Sequence, residues 1–124
     1  MYKILLLAAA GAAGTLARYG ISTTVHRIAG SDFPLGTFTV NMIGCLVFGM
    51  FWAFAEKRFH SSADITAIVL IGFLGAFTTF SSFIFDTGGL LKNYGPAHAM
   101  LNLVAQNALG IALLFTGLAI GRKI

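Results

Sequence analysis

Four long apolar stretches follow one another along the chain, Ile4 to about Val25, Leu35 to Ala55, Ile65 to Phe85 and Ala97 to Ile120, and most of the charges fall between them. Each approaches the roughly 20 residues a helix needs to cross a bilayer. Together they use nearly all of residues 1–124 and predict an all-α membrane protein: one domain of four transmembrane helices. Within each span the polar positions recur at helical spacing. Gly11, Thr15, Arg18 and Ser22 share a face of the first, which is expected to look inward, and Thr37, Asn41, Gly44 and Phe48 share one of the second. In the fourth, Asn102, Gln106 and Thr116 are assigned to one face and Asn107 to another, while Gly117 and Gly121 predict close helix packing.

The third span departs from this plan. Its centre, Gly72-Phe73-Leu74-Gly75-Ala76-Phe77-Thr78-Thr79-Phe80-Ser81-Ser82-Phe83, packs two glycines, four hydroxyls and four phenylalanines into twelve positions. Glycine and crowded Thr or aromatic side chains disfavour a helix interior, and hydroxyls compete for its backbone. The third helix is therefore expected to break near its middle. In hydrocarbon, freed carbonyls are tolerated only where they are buried in protein, line a watery cavity or hold an ion.

Composition makes the bilayer the solvent: 57% of residues are hydrophobic and 10% charged, too little polar surface to cover a soluble domain. Cys45 lies inside the second span and reads as a small buried hydrophobe. The start, Met1-Tyr2-Lys3 and then Ile4 to Ala10, resembles a signal peptide, but the apolar pattern runs on past Gly14, which favours a retained first helix. An even number of spans places Lys3, Lys57, Arg58, Arg122 and Lys123 on one side against Arg27 and Lys92 on the other, with Arg18 nearer the second group. This favours cytoplasmic termini by a narrow margin. Four helices enclose too little volume for a pore, so a homo-oligomer is expected, and the weak bias permits subunits inserted in both orientations.

The chemistry lies in a few residues. Arg18 either snorkels to the headgroups or supplies positive charge to an aqueous vestibule. Asn41 either makes an interhelical hydrogen bond, worth about 1 kcal/mol, or donates to a permeating anion. Phe80 and Phe83 are three residues apart, so their ring rims, which carry positive partial charge, share a face, with Ser81 and Ser82 between them. Enzymatic chemistry is not indicated: His26, His60 and His98 are scattered, and no paired acids or activated nucleophile lie together. No glutamate lies within the four spans, which disfavours a proton-coupled exporter.

The Gly72 to Phe83 run, with Gly11 to Arg18 upstream and Gly36-Thr37 through Asn41 in the second span, resembles the CrcB/Fluc fluoride channels across all four spans. The resemblance implies a passive, fluoride-selective channel in the bacterial inner membrane, built as an antiparallel dual-topology homodimer with two pores along the subunit interface. It implies a pore lined by Phe80 and Phe83, with Asn41 as donor and Ser81 and Ser82 in the adjoining polar track, and Arg18 in the vestibule. It further implies a structural sodium ion at the dimer centre, held by the backbone carbonyls of Gly75 and Thr78 from both subunits. The partners expected are fluoride, the antiparallel second copy and the lipid bilayer, with no nucleic acid. Two features depart from the family pattern: Asp86 stands where many members carry Glu, and Asn102, Gln106, Asn107 and Thr116 do not overlay the fourth-helix polar row. The alternatives are a small dual-topology multidrug or proton-coupled exporter and a non-transporting membrane assembly protein.

Overall fold

A computed structural model describes residues 1–58 and 63–124, so His60 lies outside the described residues. Helix α1 (Tyr2–Ala29) runs four residues beyond the expected Val25 and stops at Gly30, whose φ of 52° is left-handed and whose N–H donates to the His26 carbonyl. The connector shrinks to residues 30–34, and α2 (Leu35–Arg58) starts directly after Pro34, whose carbonyl accepts from Phe38 N–H at 3.1 Å.

The third span is built in pieces. A short α3 (Ala63–Ala67) passes into a π-helical segment, Ile68–Leu74, and then into one α-turn, α4 (Gly75–Phe77). Thr78 (φ −80°, ψ 159°) and Thr79 (φ −149°, ψ 115°) are extended, and α5 (Phe80–Tyr94) begins after them. The Thr79 hydroxyl caps α5 by accepting from Ser82 N–H at 3.2 Å. After Gly95, Pro96 occupies the first turn of α6 (Pro96–Gly121), where its missing N–H costs nothing.

Four helical stretches among the described residues are long and apolar enough to cross a membrane: Tyr2–Ala29, Leu35–Arg58, Asp64–Tyr94 and Pro96–Gly121. The chain is a multi-pass membrane protein. α2 lies along α6, and α1 lies against the π-helical segment. Contacts along the α2–α6 seam advance together, from Asn41 beside Gln106 to Gly121 beside Met50, so the two helices run parallel. The core between α2 and the third span is Val40, Leu70, Leu74 and Phe77, with Ala17, Ile21, Val47, Phe51 and Phe73 packed around it.

Two assignments of helix faces change. Thr15 is exposed on this chain, and α1 instead turns Gly14, Ala17 and Ile21 inward. Backbone proximity selects that face: a Cβ on Gly14 would stand 2.2 Å from the Phe73 carbonyl oxygen. Thr116 is also exposed and returns its hydroxyl to Ala112 O at 2.8 Å. Ten residues after Gln106 lies about 80° away around a helix, and the buried face of α6 runs through Asn102, Gln106, Gly110, Gly117 and Gly121.

Candidate functional site

The extended pair Thr78–Thr79 organises the polar chemistry. In an unbroken helix, Thr79 N–H would bond the Gly75 carbonyl and Ser82 N–H the Thr78 carbonyl. Both donors are diverted to side chains: Thr79 N–H to Asn41 Oδ1 at 2.9 Å, and Ser82 N–H to Thr79 Oγ1 at 3.2 Å. The Gly75 and Thr78 carbonyls thereby lose their helical donors. The α2 backbone approaches closely enough that a Cβ on Gly44 would stand 2.0 Å from Thr78 Cγ2.

Asn41 pairs with the Thr79 peptide in both directions, accepting from its N–H and donating Nδ2 to its carbonyl at 3.2 Å. Its second N–H donates to Gln106 Oε1 at 2.9 Å. Of the two roles the sequence leaves open for Asn41, the interhelical bond is made within this chain, between α2, α6 and the extended pair.

A cleft of about 300 Å³ opens beside this junction, with Asn41, Thr79, Phe80, Phe83, Gln106 and Asn107 among its lining residues. Phe83 is 5% exposed, whereas Phe80 is 75% exposed. Their rings meet edge to face with centroids 5.8 Å apart. One ring is thus fixed in the chain's own packing and the other stands out from it. Ser81 and Ser82 are not among the lining residues; their hydroxyls lie 3.3 and 3.0 Å from Thr79 Oγ1. Arg18 is half-buried on α1, outside the cleft.

Asn102 and Gln106 are buried, at 0% and 6% exposure, and joined by Gln106 Nε2 donating to Asn102 Oδ1 at 3.1 Å. Asn107 is exposed, lines the cleft and donates to Leu103 O at 2.7 Å. Thr87, which sequence reasoning missed, donates to Phe83 O at 2.7 Å and accepts from Asn102 Nδ2 at 2.8 Å. The available signal was its position four residues after Phe83, from which a helical hydroxyl reaches back to the earlier carbonyl.

These features define a multi-pass α-helical membrane protein with an aromatic and amide cleft beside the extended pair Thr78–Thr79 of the third span. Residues 5–118 match the family described as CrcB-like protein, Camphor Resistance (CrcB), and the chain belongs to that family. Among curated relatives, a protein of Solidesulfovibrio magneticus is 49% identical over 98% of both chains, and one of Nitratidesulfovibrio vulgaris (Miyazaki F) is 48% identical over the full length of both. A third, from Nitrosococcus oceani, is 45% identical over 98% of both. Each of these relatives is named a fluoride-specific ion channel FluC.

Proposed function

We propose that this protein is a passive, fluoride-selective channel that lets the ion leave the cell down its electrochemical gradient. Near-full-length identity to proteins named fluoride-specific channels supports the ion. The observation that carries the pore is the cleft in which a fixed Phe83 and an outward-standing Phe80 face the amides of Asn41, Gln106 and Asn107. Fluoride is small and strongly hydrated, so a pore must replace its water with donors while narrow walls exclude larger halides. Ring rims and amide N–H groups are suited to both tasks. Asn41 lines the cleft, and its Nδ2, which donates to Thr79 O and Gln106 Oε1, is the donor assigned to fluoride, exchanging the Thr79 contact for the ion. Ser81 and Ser82 continue the polar track beyond Thr79, and Arg18 contributes attraction for anions at a vestibule.

The assembly is an antiparallel dual-topology homodimer in the bacterial inner membrane, with a pore where each exposed Phe80 meets the opposing subunit. The interrupted third spans cross at the dimer centre, where the Gly75 and Thr78 carbonyls of both subunits would hold a structural sodium ion. The diversion of Thr79 and Ser82 N–H groups to side chains fits that role, since it leaves these carbonyl oxygens available. A bound cation supplies fixed positive charge that holds the two crossings together.

The test is fluoride and chloride release from liposomes carrying the purified protein, with valinomycin present to relieve the opposing voltage. Fluoride release at channel rates with negligible chloride is expected. Silence from folded, reconstituted protein would remove the channel reading and bring forward the exporter and the non-transporting assembly protein.

A further inference from the structure

Five hydrogen bonds join end to end around the cleft. Thr79 N–H donates to Asn41 Oδ1 (2.9 Å), Asn41 Nδ2 to Gln106 Oε1 (2.9 Å), Gln106 Nε2 to Asn102 Oδ1 (3.1 Å), Asn102 Nδ2 to Thr87 Oγ1 (2.8 Å) and Thr87 Oγ1 to Phe83 O (2.7 Å). The direction is forced from both ends. A peptide N–H can only donate and a peptide carbonyl can only accept, so each amide between them has one orientation that completes the line. The line starts at Thr79 and ends at Phe83, four residues later, yet it travels through α2 and α6 to get there. It therefore closes a ring around the first turn of α5, the turn that carries both phenylalanines.

The later links lie away from the cleft surface. Asn102 is 0% exposed and Thr87 9% exposed, and neither is among the residues lining the cleft. A buried polar chain is costly unless each member is satisfied, and when satisfied it specifies one arrangement. Purely apolar packing at positions 87 and 102 would have held α5 against α6 without fixing the Phe83 peptide. Thr87 also sits between two consecutive links, as acceptor from α6 and as donor to Phe83, so its hydroxyl is the point where the relay re-enters α5.

We propose that Asn102 and Thr87 are positioning residues for conduction: through the relay they set the Phe83 ring and the Thr79 peptide relative to one another, touching no ion themselves. The proposal rests on the fluoride-channel reading. If it holds, the hydroxyl of Thr87 matters and its methyl does not, and the two residues act as one link.

The experiment compares the parent with Thr87→Val, Thr87→Ser, Asn102→Leu and the Thr87→Val/Asn102→Leu double variant by liposome release of fluoride and chloride, with gel filtration of each. Loss of one buried link displaces the ring from its productive place, so Thr87→Val and Asn102→Leu are expected to elute like the parent yet release fluoride about tenfold more slowly. Thr87→Ser, which keeps the hydroxyl, stays within about twofold, and the double variant is no slower than the slower single one. Should Asn102→Leu fail to fold, the isosteric Thr87→Val decides alone. Parent-like rates in the folded Val and Leu variants overturn the relay alone, as does a Thr87→Ser variant as slow as Thr87→Val. A silent parent overturns the channel reading first, and the relay's role with it.

Discussion

The two halves of the α2–α6 seam are held by opposite means. Toward the ends of both helices, backbone lies against backbone: a Cβ on Gly49 would come within 2.2 Å of Leu114 O, one on Gly117 within 2.1 Å of Leu46 O, and one on Gly121 within 2.2 Å of Met50 O. No side chain fits, and no polar side chain is required. Toward their beginnings the same helices are joined by amides, Asn41 to Gln106, with Asn102 one turn earlier on α6. Close packing of small residues gives a membrane bundle its affinity without hydrophobic drive. Amide pairing gives it a defined polar geometry. The protein thus separates what holds its helices together from what shapes its cleft, and substitutions in the two halves should fail differently.

The largest effect is expected in the glycine half. Gly117→Val would push branched carbons into the Leu46 carbonyl and the Met50 N–H, which are backbone atoms that cannot rotate away. Overpacking typically costs about 1–3 kcal/mol where side chains can yield, and more is expected here. The variant should be lost from the membrane fraction or elute as aggregate. A stable Gly117→Val protein with parent-like elution would show that the seam is looser than its backbone contacts imply.

The cleft that the amide half shapes should fail in function, and its two rings stand on α5. Phe83→Ile and Phe80→Ile are each expected to slow fluoride release at least about tenfold, because both rings wall the proposed pore. They separate in stability. Phe83 is buried within the chain, so its replacement removes about 1–3 kcal/mol from the chain's own packing; Phe80 is 75% exposed on the single chain and faces the proposed partner, so its replacement should cost less in thermal unfolding and act through the dimer contact. Normal release from Phe80→Ile would remove that ring from the pore. Equal loss of thermal stability in the two variants would erase the contrast between a fixed ring and a projecting one.

Much of this contrast was legible in the sequence. The four spans follow from apolar length, and the Gly117-xxx-Gly121 spacing marked the packed face of α6. The stretch from Gly72 to Phe83 stood out by its composition, and the extended residues Thr78 and Thr79 lie within it. The π-helical Ile68–Leu74 did not stand out, because a shifted hydrogen-bond register carries no residue signature in an apolar run. The inward face of α1 is not legible for a related reason: in a bilayer, polarity alone does not decide which face is buried, and Gly14 outweighs Thr15 through backbone proximity. The relay was hidden because its partners come from three helices. Asn102 and Gln106 looked like two polar residues on one face until Thr87 and Asn41 stood at either end of them.

The smallest effect should come from a contact belonging to neither half. Lys3 Nζ lies 2.5 Å from Asp64 Oδ1, tying the start of α1 to the start of the third span, but the two side chains are 49% and 67% exposed. Exposed pairs gain little in water and are screened by salt, so about 0.2–1 kcal/mol is the most this one contributes. Asp64→Asn removes the attraction while preserving shape. Its release of fluoride should match the parent, and any loss of thermal stability should vanish on raising the salt to molar concentration, where the parent pair is itself screened. A marked, salt-independent loss would mean that α1 depends on this tether as well as on the approach of Gly14 to the Phe73 carbonyl. The division between a packing seam and a polar cleft would then need a third member.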